Sequence, residues 1–161
     1  MSVPPRRATP ALLQVDAVLQ RLGGADALTE VCRYLRQEFS HFDWVGVYRK
    51  DGERLRLAGW NGAAETEHTE IALDRGVCGR AARENRTVVV DDVRAAPEYL
   101  ACFVDTRAEI VVPVRDRSGG VLGEIDIDGT SVGAFDASDA AFLESVAAKI
   151  APVLEGPAPR S

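Results

Sequence analysis

Cys78 and Cys102 stand 24 residues apart, Glu109 follows seven residues after the second cysteine, and Glu124, Asp126 and Asp128 come at alternate positions beyond it. Thiols and carboxyls in this arrangement point to nucleophilic sulfur chemistry. A cysteine attacks as its thiolate, and a carboxyl that has kept its proton can hand it to a departing group. On an extended strand the three alternating carboxylates project from one face and Ile125 and Ile127 from the other, so that strand has one strongly acidic side. If that side lines a closed pocket with Glu109, repulsion and desolvation raise at least one carboxyl pKa and hold a proton in place, while the remaining carboxylates suit an ammonium group. The plainer alternatives are a wet strand face for the carboxylates and an inert buried thiol for Cys102.

The elements that must position these residues are legible in the apolar periodicity. Leu12, Val15, Leu19 and Leu22 recur at helical spacing over 11–22, and Gly23-Gly24 ends that helix. Leu28, Val31, Cys32, Leu35 and Phe39 mark a second helix, in which Cys32 is packing material. Strands are expected over 42–49 and 54–58, with Asp51-Gly52 as hairpin chemistry, and again around 69–73. Trp44 and Tyr48, four apart, share one face of the first strand. A short helix over 78–85 would place Cys78 near its N-terminus, where the dipole stabilises a thiolate. After a brief β-branched run at 87–90, residues 91–103 read as a long loop carrying Cys102. Residues 109–115 and 121–128 form a second hairpin around Ser118-Gly119-Gly120, and Asp136 caps a last helix with the stripe Leu143, Val146, Ala147, Ile150 and Leu154.

These elements predict one α+β domain over 11–154, a mainly antiparallel central sheet with flanking N- and C-terminal helices, between flexible segments at 1–10 and 155–161. A chain of 161 residues with 46% hydrophobic content suffices for a single core. A net charge of -6 disfavours nucleic acid and anionic membrane surfaces as partners. No signal-type or membrane-spanning apolar run appears, which predicts a cytoplasmic protein. Three widely spaced cysteines fit neither a secreted disulfide framework nor a zinc motif, so free thiols and no metal are expected.

Five segments, Asp43-Trp-Val-Gly-Val-Tyr48, Arg75-Gly-Val-Cys-Gly79, Leu100-Ala-Cys102, Glu109-Ile-Val-Val-Pro113 and Gly123-Glu-Ile-Asp-Ile-Asp128, together resemble the free methionine-(R)-sulfoxide reductases, enzymes of GAF fold. The resemblance spans 42–135 and rests on the combined spacing. It implies that Cys102 is the catalytic nucleophile and Cys78 a resolving thiol. It also implies that Glu109, Asp126 and Asp128 line the methionine sulfoxide pocket, with Trp44 and Tyr48 as its aromatic wall. No bound cofactor is implied; the reductant is an external thiol such as thioredoxin, and pairing through the end helices makes a homodimer the expected assembly. Some relatives carry a third cysteine ten residues before the Gly-Val-Cys-Gly cysteine. Here that position is His68, so regeneration must run through Cys78 or directly through an external thiol. Arg107 and His68 are the candidate sources of positive charge near Cys102; the sequence does not show which is near, and His68 is assigned no role. The competing functions are a non-catalytic GAF sensor of a small ligand, acting on a signalling partner, and a purely structural dimerisation domain.

Overall fold

The computed structural model describes residues 2–97, 99 and 103–156. Helix α1 (Pro5–Arg21) starts on Pro5, whose fixed φ and missing N–H suit the first helical position. The expectation of a flexible segment over 1–10 is therefore corrected: the helix begins six residues early, and Val3, 1% exposed, is already in the core. Its buried stripe runs through Ala11, Val15 and Val18, leaving Leu12, Leu19 and Leu22 half-buried at its edge. Of the flexible tail expected at 155–161, Glu155 is still helical and 157–161 lie outside the described residues.

Helix α2 (Gly24–Glu38) leads into β1 (Trp44–Asp51), which turns through Gly52 at φ 62° into β2 (Arg54–Gly62). The Asn61-Gly62 pair completes β2, since Trp44 pairs with Gly62 across the ladder. Short β3 (Glu70–Ala72) precedes α3 (Gly76–Glu84), and β4 (Val88–Val90) and a single 3-10 turn (Val93–Ala95) follow. The hairpin β5 (Ala108–Arg115) and β6 (Val121–Gly129) then hands over to α4 (Ala137–Glu155).

All strand pairs are antiparallel, in the order β3-β2-β1-β6-β5-β4. The central pair β1–β6 sets the two faces of the sheet, since residues directly opposite one another point the same way. Val45, Val47, Ile125 and Ile127 face α1, α2 and α4 and build the larger core with Leu28, Leu35, Leu143 and Ile150. Trp44 opposite Asp128, Gly46 opposite Asp126 and Tyr48 opposite Glu124 face the other way, toward α3 and the connecting loops.

Helix α4 is fixed at both ends. Asp136 accepts from the backbone N–H groups of Ser138 and Asp139, and the Asp139 side chain accepts from the N–H of Asp136, a reciprocal cap. The other Asp139 oxygen lies 2.8 Å from Nε2 of His41, both residues being buried. At the far end Arg49 on β1 donates to the carbonyl oxygens of Leu154, at 2.6 Å, and Gly156, at 3.3 Å, which the helix itself leaves unsatisfied.

Candidate active site

The acidic face expected of β6 is real, and it is dry. Glu124, Asp126 and Asp128 are no more than 2% exposed, and Glu109 on β5, directly opposite Asp128, is 4% exposed. Strand alternation directs all four side chains to the face covered by α3, where Cys78 is held. One sulfur or oxygen atom each from Cys78, Glu109 and Asp126 lies within 4.8 Å of the others. His68, Ile71, Gly76 and Val77 complete the walls of this cleft, whose free volume is about 10 Å³.

Burial of so many acids in one place decides their protonation. Glu124 is pushed well above the ordinary carboxyl range by desolvation, with the charge of Asp126 adding to the effect. Asp128 rises likewise through burial and its acidic neighbours Asp126 and Asp43. Asp126 rises through burial, opposed by hydrogen bonding with Glu109 and by the imidazole of His68. Both oxygens of Asp128 and one of Asp126 have no hydrogen-bond partner among the described residues, and Glu124 has the Cys78 thiol beside it.

Cys78 departs from expectation. It lies in the first turn of α3, but burial and the charges of Asp126, Glu124 and Glu109 push its thiol well above the usual value, overriding the helix dipole. It is held as a thiol, not as a dipole-stabilised thiolate. Cys32 is fully buried in the larger core and pushed up to about 12, which makes it inert packing as expected. Cys102 lies outside the described residues; Phe103, which follows it, packs against Trp44 with ring centroids 6.0 Å apart.

Trp44 and Tyr48 share the site face, as their spacing predicts, but do different things. The indole of Trp44 lies over the backbone of β1 and β2, and only glycine leaves room for it. A Cβ on Gly46 would sit 2.3 Å from the ring and one on Gly62 2.1 Å from it. Trp60 stacks alongside Trp44 at 6.3 Å with planes 12° apart. The Tyr48 hydroxyl donates to the carbonyl of His68 at 2.7 Å, tying the 63–69 segment over the cleft. Between Trp44, Asp128, Ala63, Phe103 and Thr106 a second, more open pocket of about 300 Å³ adjoins the site.

Sequence reasoning left two contributors without a role, the glycine shelf under Trp44 and His68. The former was signalled only by glycines at pairing positions in neighbouring strands. Of the two cationic candidates, His68 lines the cleft, whereas Arg107 spends its guanidinium on the carbonyl oxygens of Val104 and Thr106.

A family profile described as GAF domain matches residues 25–155. GAF domain-containing protein A of Dictyostelium discoideum is 35% identical over 120 residues, 74% of this chain and 73% of that one. Among solved structures, the type II free methionine-R-sulfoxide reductase from Thermoplasma acidophilum is similar at TM-score 0.77 and 38% identity, covering 88% of this chain and 94% of that chain. The free methionine-R-sulfoxide reductase from Neisseria meningitidis, solved in complex with its substrate, is similar at TM-score 0.85 and 33% identity, covering 93% and 89%.

Proposed function

This chain belongs to the GAF domain family and, within it, to the free methionine-R-sulfoxide reductases, and from that premise we propose that it reduces free L-methionine-(R)-sulfoxide with Cys102 as nucleophile. The observation that carries the reading is the closed cleft in which four buried carboxyls and the Cys78 thiol meet on one sheet face. A sulfoxide sulfur becomes electrophilic only when its oxygen is hydrogen-bonded or protonated, and carboxyls held neutral by burial supply that proton. Glu109, Asp126 and Asp128, from the same set, receive the substrate ammonium. Trp44 flanks the S-methyl group, whose sulfur gains positive character as the oxygen is protonated. The 300 Å³ pocket beside Trp44 and Asp128 is the entry, and admitting substrate to the narrower cleft requires the 63–69 segment to move.

The thiolate of Cys102 attacks the sulfoxide sulfur, and the oxygen, protonated, passes to the cysteine sulfur, leaving methionine and a sulfenic acid. The Cys78 thiol then attacks that sulfur, expelling water and forming a disulfide, and an external dithiol such as thioredoxin opens it by exchange and is itself oxidised. A protonated Cys78 is a slow nucleophile in the resting cleft. Its attack therefore requires loss of the thiol proton to a neighbouring carboxylate or to water once the cleft opens. We place the reaction in the cytoplasm and the enzyme as a homodimer. No helix among the described residues is long and apolar enough to cross a membrane. The sensor and purely structural readings give way, since the solved relatives above are enzymes.

The test is turnover of free L-methionine-(R)-sulfoxide with a thioredoxin system and, separately, dithiothreitol. Cys102→Ser should form no methionine under either reductant. Cys78→Ser should form one methionine per chain in a single turnover yet lose thioredoxin-coupled recycling. A parent protein inactive with both reductants sinks the reading; activity surviving in Cys102→Ser sinks the nucleophile assignment alone.

A further inference from the structure

Cys78, Glu109 and Asp126, which the reductase reading uses for recycling and substrate binding, also form a metal-type donor set. A thiol and two carboxyls converge within 4.8 Å, and His68 lines the same cleft. These are the ligand types of a borderline-soft divalent ion of the zinc class. Tetrahedral zinc, with bonds of about 2.3 Å to sulfur and about 2.0–2.2 Å to oxygen, sets its ligands roughly 3.3–3.8 Å apart, so these side chains need draw together by only about 1 Å. Calcium, which takes six to eight oxygens, and magnesium, which keeps several waters, are excluded by the thiol and by a free volume of about 10 Å³.

A second observation points the same way. One oxygen of Asp126, a residue only 1% exposed, has no hydrogen-bond partner among the described residues. A buried acidic oxygen without a partner is a ready ligand for a cation, and the cleft has room for about one water-sized body but not for an amino acid.

We propose that Cys78, Glu109 and Asp126, in the cleft that His68 also lines, form a site for a zinc-class cation that holds the cleft shut and takes Cys78 out of recycling. Binding replaces the thiol proton and the proton among the carboxyls, and no electrons move. The masking rests on the reductase reading; the binding does not.

The experiment titrates the reduced, metal-free, full-length protein with cobalt(II), a spectroscopic stand-in for zinc, and then with zinc. One equivalent is expected to produce a thiolate-to-cobalt charge-transfer band that zinc abolishes. The band should be lost in Cys78→Ala, and cobalt affinity should fall at least ten-fold in Asp126→Asn. Should Cys78→Ala fail to fold, Cys78→Ser keeps the side-chain size and carries the same expectation. No saturable binding by the parent, or a band that survives loss of the Cys78 sulfur, overturns the proposal. Turnover by chelator-treated enzyme is measured alongside. Turnover without the band would refute the metal site and leave the reductase reading standing, whereas the band without turnover would refute the reading and leave the site.

Discussion

At the scale of single residues, the site runs on misplaced charge. Glu124 has no exposure and an acidic neighbour in Asp126, and burial above all puts its folded-state pKa well above the ordinary carboxyl value of 4.5. Above that value the folded chain holds a proton that the unfolded chain has released. Stability therefore falls as pH rises, by up to about 1.4 kcal/mol per unit for each such group, until the folded-state pKa is passed. Glu124→Gln removes this contribution. Chemical denaturation between pH 5 and 8 should show the parent losing stability with rising pH and the variant following a shallower slope; equal slopes would mean that Glu124 is ionised in the folded protein. The same burial explains why a thiol at a helix N-terminus is not activated here. The dipole acts through a few partial charges, while desolvation in the dry cleft, reinforced by the acidic groups of Asp126, Glu124 and Glu109, disfavours the thiolate.

Strand and helix geometry decides what those residues can reach. The β1–β6 pair brings Tyr48 opposite Glu124, and the Tyr48 hydroxyl holds the His68 carbonyl of the covering segment. Tyr48→Phe deletes that one bond, worth about 1 kcal/mol. Steady-state kinetics should show KM raised by about five-fold, and amide exchange should show faster exchange over 63–69. An unchanged exchange rate would mean that Tyr48 acts only as a wall. The same two strands approach so closely at Gly123 that a Cβ there would stand 2.0 Å from the Tyr48 carbonyl oxygen. Gly123→Ala must push β1 and β6 apart and should cost more than about 2 kcal/mol, read as a lower denaturation midpoint. A midpoint within error of the parent would mean that the strands separate there at little cost.

On the scale of the whole molecule, one sheet separates two apolar cores, with the helical layer of α1, α2 and α4 on one side and the site on the other. Both tryptophans, Trp44 and Trp60, report on the site side, whereas the far-ultraviolet signal comes largely from the helices opposite. Because both cores share the strands β1, β5 and β6, they should unfold together. Leu143→Ala, in the larger core, should cost about 2–5 kcal/mol and shift the fluorescence and circular dichroism transitions by the same amount. Separated transitions would show the site layer melting on its own.

Sequence periodicity by itself determined the helices and most strands, and alternation put Glu124, Asp126 and Asp128 on one face with Trp44 and Tyr48 on one face of their own strand. These are local rules, in which side-chain direction follows from backbone repeat. The start of α1 escaped because Pro5 and Pro10 look like breakers until the first helical position is known. Spacing could not tell whether the acidic face was wet or dry, nor that the expected Cys78 thiolate would be a thiol, because both follow from what packs across the sheet. The meeting of Cys78 from α3, Glu109 from β5, Asp126 from β6 and His68 from a loop is likewise a property of the tertiary structure. Burial and charge neighbourhood are set by residues distant in the chain, and only the fold brings them within a few ångströms.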